Sequence, residues 1–500
     1  MAMRIAIIGG GAGAVSFVGS LLDRAEILGS DVELSIFDPV TPGWGQAFGP
    51  DLDCVLMNVP NGGISIRSGH RTHFLEWLER DTRRERPEDG ERLSDSFSPR
   101  SVFGAYLAHT LNKYREIAEK YGWKVTVHDQ TVVGISERAD GMLEVRSARA
   151  TRSYSQVILA VGPGSSADPF NLNGTPGFIG DPYPLIDVLP KIDDSQAHVL
   201  IIGTGLTAVD TAIGLLHVGH QGAITMASRE GILPQVLAHP VDEPLKCITA
   251  AEIDDRLRAL NEFQLGDVTD LLRSELASDG FDLRAEISWF RAGVSQREYL
   301  RHQLDSASGN PVQSVLKRIP AALEQRIRSS LAPEAARIVS AHTNRLKGIQ
   351  SPMPRRTART LLKAMDSGQL SVVSGLSSVS RRLGTYAATA VHGIPPAQVV
   401  IDATRTSPAK SKGRSRRLIA SLVAGGYASW GSSDALRVES ESGRLITSSG
   451  ATHPHLFAIG EITAGGTYFA SSLPAVNRGA DAVASALAGI GSGAQRIISP

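Results

Sequence analysis

The sequence predicts an α/β protein with two Rossmann-like, three-layer (ββα) domains and a mostly helical insert. Two apolar runs of strand length each lead into a glycine-rich turn and then into a helical pattern, one at the N-terminus and one near residue 200. Residues 241–350 instead repeat Leu, Ala, Arg and Glu at helical spacing. With 500 residues, the chain is too long for a single hydrophobic core and fits two or three domains.

The first glycine-rich turn is Gly9-Gly10-Gly11-Ala12-Gly13-Ala14, and the strand that follows its helix ends on Asp38. Strand, turn, helix, strand and acid in this order are the fingerprint of dinucleotide binding. Gly9 permits the tight turn, Gly11 lets a pyrophosphate approach the backbone, and the small Ala14 lets the helix pack on the sheet. The helix N-terminus then faces the phosphates, and Asp38 is placed to accept hydrogen bonds from a ribose diol. The alternative is a turn that serves packing alone.

The second turn, Gly203-Thr204-Gly205-Leu206-Thr207-Ala208, has the same Gly-x-Gly-x-x-Ala pattern between an apolar strand and a helix. The next strand ends in Ser228-Arg229, with no acid at that point. A serine and an arginine suit a 2′-phosphate, which an acid would repel. The pattern therefore favours NADPH over NADH, unless Arg229 is an ordinary surface residue.

Loops and a late strand supply the remaining motifs. Residues 39–50, which include Gln46, form a Pro- and Gly-rich loop where a bound cofactor would be covered. A second polar loop contains Asn58, and a buried strand ends in a glycine turn at Gly162. A strand near the C-terminus ends in Gly460-Glu461 and precedes a helix predicted at residues 475–487. Helices of the insert are predicted at residues 253–260, 268–276, 296–304, 315–330 and 332–343.

Composition excludes several classes of protein. Lys+Arg and Asp+Glu are equal at 51 each, which gives no electrostatic reason to expect nucleic acid or an anionic membrane as a partner. The two cysteines, Cys54 and Cys247, form no CxxC, which argues against a disulfide framework, a zinc site and a redox dithiol. We therefore expect no metal. No apolar run approaches membrane-spanning length and no signal peptide is visible, so we expect a cytoplasmic protein.

Taken together, these motifs resemble those of the two-dinucleotide-binding-domain flavoproteins (the FAD-NAD(P)-binding family). The apolar strand that ends in Ala-x-Gly at Gly162 resembles the strand that closes the first half of the flavin domain in these proteins. Residues 57–60 (Met-Asn-Val-Pro) followed by residues 73–78 resemble in particular flavin-dependent N-hydroxylating monooxygenases of the aspartate N-monooxygenase group. In such proteins an acid after the last strand holds the ribityl chain of FAD; it is usually Asp, and here it is Glu461. The helix that follows, just after Leu473, points its N-terminus at the flavin ring.

The resemblance implies an FAD- and NADPH-dependent monooxygenase that uses O₂ to N-hydroxylate the amine of an aspartate-like amino acid or a related small amine, through a flavin hydroperoxide. It implies FAD binding by residues 1–165 and 406–500, NADPH binding by residues 190–240 and 351–405, and a substrate or lid role for residues 241–350. It implies a small-molecule substrate, no nucleic acid or membrane partner, and a possible homo-oligomer. The candidate cofactor-binding residues are Gly9, Gly11, Gly13, Ala14, Asp38, Gln46, Asn58, Gly162, Gly203, Gly205, Leu206, Thr207, Ala208, Ser228, Arg229, Gly460, Glu461 and Leu473.

Catalytic and substrate-binding residues cannot be assigned from the sequence. An acidic substrate needs cations, for which Arg291, Arg297, Arg301, Arg355 and Arg356 are candidates, although each is also explained as a surface residue. Arg405 stands where related monooxygenases have glycine, and it could narrow the nicotinamide approach or bind a phosphate or carboxylate. Two alternatives remain: an FAD-dependent NAD(P)H oxidoreductase without oxygen insertion, and a non-enzymatic nucleotide-binding protein.

Overall fold

The computed structural model describes residues 2–80, 91–162, 164, 166–238, 243–290, 294–306, 310–404, 408–410, 413–431, 434–463 and 472–496. The chain divides into two compact units. Unit 1 comprises Met1–Pro169, Tyr183–Asp187 and Arg405–Pro500, and unit 2 comprises Phe170–Pro182 and Val188–Thr404.

A six-stranded sheet forms the centre of unit 1. Its strands are β1 (Met3–Ile8), β2 (Val32–Phe37), β3 (Lys124–His128), β7 (Gln156–Leu159), β15 (Arg444–Ile446) and β16 (Thr452–Ala458). They pair in the order β15-β16-β7-β1-β2-β3, and all pairs are parallel except β15 with β16. Because β1 lies inside the sheet, neighbouring strands satisfy its backbone on both sides.

Both faces of this sheet are buried. Ile5 and Ile7 of β1 join one hydrophobic core, whereas Ala6 and Ile8 join another, as expected where successive side chains point to opposite faces. The first core is shared with the helices α1 (Ala12–Leu22), α4 (Arg100–Lys120) and α17 (Leu473–Arg496). The second is shared with α16 (Arg414–Ala424) and with a three-stranded antiparallel sheet of β4 (Val132–Glu137), β5 (Leu143–Ser147) and β6 (Thr151–Tyr154). This arrangement is the predicted ββα layering.

Shorter elements complete unit 1. They are the helices α2 (Ala25–Leu28), α3 (His73–Arg80) and α5 (Leu185–Val188), and the 3-10 turns Asn61–Gly63 and Glu461–Thr463. The last residue of α5 already belongs to unit 2, as does the 3-10 turn Leu189–Lys191.

Unit 2 has its own parallel sheet. The strands are β8 (Phe178–Ile179), β9 (Val199–Ile202), β10 (Ile224–Ala227), β11 (Leu370–Val373) and β14 (Val399–Asp402), in the order β11-β10-β9-β14-β8. The hairpin of β12 (Ser378–Arg382) and β13 (Thr385–Thr389) contributes Val379 and Tyr386 to the core that includes Leu200 and Ile202 of β9. The helices α6 (Leu206–His217) and α15 (Arg355–Asp366) complete this Rossmann-like part.

The helical insert of unit 2 follows β10 and has its own hydrophobic core, which includes Ile253, Phe263 and Leu276. The prediction of a single helix at residues 315–330 is wrong, because two helices on either side of Pro320 occupy this stretch. Proline disfavours helical backbone in the residue before it, and Ile319 has a ψ of 119°. The helices are α7 (Ala250–Leu260), α8 (Leu265–Ser278), α9 (Leu283–Ser288), α10 (Gln296–Asp305), α11 (Pro311–Arg318), α12 (Ala321–Ser329), α13 (Pro333–Ala341) and α14 (Thr343–Gln350).

Candidate functional site

The glycine turn of unit 1 is tight because two neighbouring strands confine it. Gly9 has a φ of +101°, which disfavours any residue with a side chain. A Cβ atom at Gly9 would lie 2.5 Å from the carbonyl oxygen of Ala160, just after β7. The Gly9 N–H donates to the carbonyl of Phe37, at the end of β2, over 2.8 Å. Only glycine therefore fits at this first position.

Asp38 fixes the backbone of the turn. Its carboxylate is 7% exposed; Oδ2 accepts from the Gly10 N–H at 2.6 Å, and Oδ1 accepts from the Val40 N–H at 2.9 Å. Each oxygen of a carboxylate has two lone pairs and can accept more than one hydrogen bond. The aspartate thus has a structural role in addition to the one expected from the sequence.

The loop after Asp38 lies against the glycine turn. The Gly43 N–H donates to the Gly10 carbonyl at 2.6 Å, and a Cβ atom at Gly11 would lie 3.3 Å from the Cα of Gly45. The side-chain oxygen of Gln46 lies 3.2 Å from the position that a Cβ atom would take at Gly162. The fold therefore brings the predicted residues Gly11, Gln46 and Gly162 into one region. Sequence reasoning missed Gly43 and Gly45, although both stand in an obvious Pro-Gly-x-Gly pattern.

Helix α1 presents an uncapped N-terminus at this turn. Gly11 is its N-cap residue, no side chain caps the helix, and no acid lies in its first turn. Gly13 and Ala14 serve packing: Ala14 is fully buried, and a Cβ atom at Gly13 would lie 3.5 Å from the Cβ of Ala160. Uncapped N–H groups at a helix N-terminus form a binding site for an anion such as a pyrophosphate.

The remaining predicted residues of unit 1 lie after other strands or in loops. Gly460 has a φ of +86° and follows β16, so Glu461 and Gly162 come after parallel strands at the same edge of the sheet as the glycine turn. Ligands of α/β sheets bind at this edge. Asn58 is half-buried, and its side chain forms no hydrogen bond within the described residues. Leu473 begins α17, two residues earlier than predicted.

The glycine turn of unit 2 repeats the geometry with more open space. Gly203 has a φ of +121°, and a Cβ atom there would lie 3.0 Å from the Ala403 carbonyl oxygen. At Gly205, the N-cap residue of α6, a Cβ atom would meet nothing within 4 Å. Helix α6 has neither a side-chain cap nor an acid in its first turn. Its first turn contains Leu206 and Thr207, which are half-buried, and the fully buried Ala208. A phosphate can therefore approach these N–H groups.

The loop after β10 places two predicted residues in different roles. The Ser228 hydroxyl lies 3.0 Å from the Thr204 hydroxyl and accepts from the Gly231 N–H at 2.9 Å, so it holds this loop against the glycine turn. Arg229 is exposed, and its side chain forms no ion pair or hydrogen bond with any residue that the structure describes. The guanidinium of Arg229 is therefore available to a ligand.

Most arginines suggested for substrate binding already have partners or lie outside the described residues. Arg301 forms an ion pair with Asp366 at 2.7 Å, and a guanidinium nitrogen of Arg355 donates to the Leu304 carbonyl at 2.5 Å. Arg297 and Arg356 are exposed. Arg291 and Arg405 are outside the described residues. The substrate-binding roles remain predictions.

Further observations concern other kinds of site. No group of three or more His, Cys, Asp or Glu side chains could hold a metal ion within the described residues. Cys54 and Cys247 form no disulfide. None of the described helices is both long and apolar enough to cross a membrane.

The residues around both glycine turns fit dinucleotides. Each turn offers a helix N-terminus without a competing side-chain cap, and Asp38 in unit 1 and Arg229 in unit 2 supply groups for a ribose and a phosphate. The contribution of each predicted cofactor-binding residue stays a prediction.

Comparisons with known proteins agree with this geometry. Residues 6–164 match the sequence model of a family described as FAD-NAD(P)-binding. No curated protein sequence matches the chain significantly.

Solved structures are similar over almost the whole chain. L-lysine 6-monooxygenase from Pseudomonas syringae has a TM-score of 0.52 at 13% identity, with 100% of both chains covered. The cadaverine monooxygenase DfoA from Erwinia amylovora, solved with FAD, has a TM-score of 0.51 at 12% identity, with 98% of this chain and 95% of that chain covered. The ornithine hydroxylase PvdA from Pseudomonas aeruginosa has a TM-score of 0.50 at 14% identity, with 98% and 99% covered. These similarities confirm the predicted fold, an α/β protein with two Rossmann-like domains. The match to an FAD-NAD(P)-binding domain covers residues 6–164.

Proposed function

We propose that this protein is an FAD- and NADPH-dependent monooxygenase that N-hydroxylates a small primary amine. The observation that carries the proposal is the presence of two uncapped helix N-termini at glycine turns, one in each unit, within a fold similar to those of N-hydroxylating monooxygenases. An enzyme that passes hydride from a nicotinamide to a flavin needs two such sites. A protein that merely binds one nucleotide does not.

In this proposal, unit 1 holds FAD. The N–H groups at the start of α1 face the pyrophosphate, and Asp38 accepts from the ribose of the adenosine. Gln46, Asn58 and Gly162 contribute to the same site, and Glu461 follows a strand at the edge where the flavin end would lie. Asn58 and Glu461 are both half-buried, and one carboxylate oxygen of Glu461, Oε2, is buried.

Unit 2 holds NADPH. Gly205 leaves open space at the start of α6 for the pyrophosphate, and Arg229 meets the 2′-phosphate. Ser228 supports the site by fixing the loop, since its hydroxyl is already bonded to Thr204 and to the Gly231 backbone. This interpretation favours NADPH over NADH because no acid occupies the position of Arg229.

Bound FAD would take electrons from NADPH and activate O₂, and the protein would bind, orient and shield the reactants. The overall reaction converts an amine, O₂, NADPH and a proton into a hydroxylamine, NADP⁺ and water. The names of the similar enzymes point to cadaverine, lysine and ornithine as substrates of those proteins. Each has a primary amine at the end of an alkyl chain, so we infer a similar amine here. Nothing in the comparisons favours the aspartate-like substrate.

The experiment measures where the electrons of NADPH go. The FAD-loaded protein is mixed with NADPH, O₂ and, separately, cadaverine, lysine, ornithine or aspartate. NADPH loss is followed by absorbance, hydroxylated product by mass spectrometry, and hydrogen peroxide by a coupled assay. We expect one amine to yield hydroxylamine in proportion to NADPH consumed, with little peroxide.

The results also separate the alternatives. Formation of peroxide without hydroxylated product from any amine would favour an oxidoreductase that inserts no oxygen. Rapid reduction of a quinone added in a separate assay would support the same conclusion. A purified protein that is colourless and takes up no added FAD would contradict both enzyme proposals. Such a protein would be a nucleotide-binding protein without redox activity.

A further inference from the structure

Next to Arg229 stands an acid that the sequence pattern did not take into account. Glu230 is half-buried, and its carboxylate forms an ion pair with Arg345 over 2.9 Å between Oε2 and Nε. An unpaired carboxylate at this point would repel a 2′-phosphate and could accept a hydrogen bond from the free 2′-hydroxyl of NADH. The charge state of Glu230 and its partner therefore bears on the choice of nicotinamide cofactor.

Arg345 comes from a distant part of the sequence and is placed by the backbone. It lies on α14 of the insert, 115 residues after Glu230. The same helix is fixed by Gly348, whose carbonyl accepts from the Gln235 N–H at 3.0 Å. Gln235 follows Glu230 by five residues, so this backbone bond and the ion pair of Arg345 both join α14 to the same segment of the chain.

The loop itself is also fixed. The Ser228 hydroxyl accepts from the Gly231 N–H at 2.9 Å, and the Arg229 carbonyl accepts from the Gly375 N–H at 2.9 Å. Glu230 thus lies between two anchored positions. Charges within a few ångströms of each other on such a loop act together on a bound phosphate, since the screening length in physiological salt is about 8 Å.

We propose that Arg345 is a specificity-determining residue, which selects NADPH over NADH by neutralising Glu230 beside Arg229. This inference rests on the proposed binding of NADPH by unit 2. With the pair intact, Arg229, Glu230 and Arg345 carry a net charge of about one positive unit. Removal of Arg345 leaves no net charge, whereas neutralisation of Glu230 leaves about two positive units.

The two single substitutions therefore shift the binding of NADP⁺ in opposite directions. We expect Arg345→Ala to weaken NADP⁺ binding about three- to tenfold, because the carboxylate next to Arg229 then lacks its counter-charge. We expect Glu230→Gln to strengthen NADP⁺ binding by a similar factor. The double variant restores the original net charge and should bind within about twofold of wild type. NAD⁺ binding should stay constant or tighten slightly in Arg345→Ala.

The measurement is titration calorimetry of NADP⁺ and NAD⁺ on the FAD-loaded protein, in low salt and in about 1 M NaCl, where the differences should shrink. Arg256→Ala is the matched control. Arg256 forms an ion pair with Glu252 at 2.7 Å, a length similar to that of the Arg345–Glu230 pair. The side chains of Arg256 and Glu252 are 28% and 42% exposed, and those of Arg345 and Glu230 are 32% and 44% exposed. The NADP⁺ to NAD⁺ ratio should not change in this control.

The outcomes distinguish this inference from the proposed function. A purely structural ion pair would lower stability similarly in Glu230→Gln and Arg345→Ala and shift NADP⁺ binding in the same direction, or not at all. If NADP⁺ binding shifts in the same direction in both variants, or does not shift, while the wild-type protein prefers NADP⁺, then the role of Arg345 is overturned. The proposed binding of NADPH by unit 2 is then unaffected. A wild-type protein that binds NAD⁺ as tightly as NADP⁺ overturns the choice of NADPH and this inference with it.

Discussion

Substitution of Gly205 tests the second glycine turn without disturbing the fold. Gly205 has a φ of −79° and a ψ of −173°, which alanine adopts without strain, and a Cβ atom there meets no atom within 4 Å. Gly205→Ala should therefore leave the free energy of unfolding unchanged or raise it by about 0.4–1 kcal/mol through reduced freedom of the unfolded chain. Among the residues that the structure describes, the new methyl group meets no atom, so a bound ligand is the partner that it would displace.

The expected loss is in dinucleotide binding. A methyl group beside the first N–H groups of α6 keeps the pyrophosphate away from the helix N-terminus. If this removes about 1.4–2.8 kcal/mol of binding, the dissociation constant of NADP⁺ rises about ten- to a hundredfold. Calorimetry gives the dissociation constant, and thermal unfolding without nucleotide gives the stability.

Gly266 provides a control for the Gly205 substitution, whereas Gly9 does not suit the same test. Gly266, in α8 of the insert, also has open space at its Cβ position, so Gly266→Ala is the control and should leave NADP⁺ binding unchanged. Gly9 is unsuitable, because a Cβ atom would lie 2.5 Å from a backbone oxygen and would damage the fold itself. Unchanged NADP⁺ binding in a folded Gly205→Ala protein would refute a phosphate site at this turn.

Three further predictions concern single residues. Arg229→Ala should weaken NADPH about tenfold and leave NADH nearly unchanged, measured by titration; equal effects on both would show that Arg229 does not contact the 2′-phosphate. Glu275 is fully buried, and its carboxylate accepts hydrogen bonds from the N–H groups of residues 246–248 at 2.7–3.0 Å. Glu275→Ala should therefore lower the free energy of unfolding, measured in urea, by about 3 kcal/mol. A loss below about 1 kcal/mol would contradict this role. Burial lowers the pKa of His73 below 6.5, so the unfolded chain binds more protons between the folded pKa and 6.5, and stability should fall as the pH drops through that range. His73→Phe should lessen the fall in unfolding midpoint between about pH 7 and pH 5, and an unchanged slope would contradict this contribution.

The two glycine turns could be predicted because their causes are local. Gly9 and Gly203 adopt backbone angles that only glycine readily takes. The spacing of apolar residues on either side predicts the strand before each turn and the helix after it. The same kind of local signal was available for the break at Pro320. The helical spacing on both sides hid it, and so one helix was expected where two occur.

Contacts between distant residues were beyond the sequence. Nothing in the chain order indicates that Gly45 lies against Gly11, or that the insert glutamines Gln296 and Gln303 accept hydrogen bonds from the Leu233 and Val236 backbone at 2.9 Å. Such partners are chosen by the packing of whole elements, for which spacing along the chain carries no information.

Amino-acid order was enough to predict the two Rossmann-like motifs, the glycines of each turn and the places of Asp38 and Arg229 after their strands. These features depend on backbone angles and on periodicity over a few residues. The tertiary structure alone decided that Ser228 supports its loop and that Glu230 is neutralised by Arg345. Electrostatic and hydrogen-bonding roles depend on which groups come within a few ångströms, and only the folded chain sets those distances.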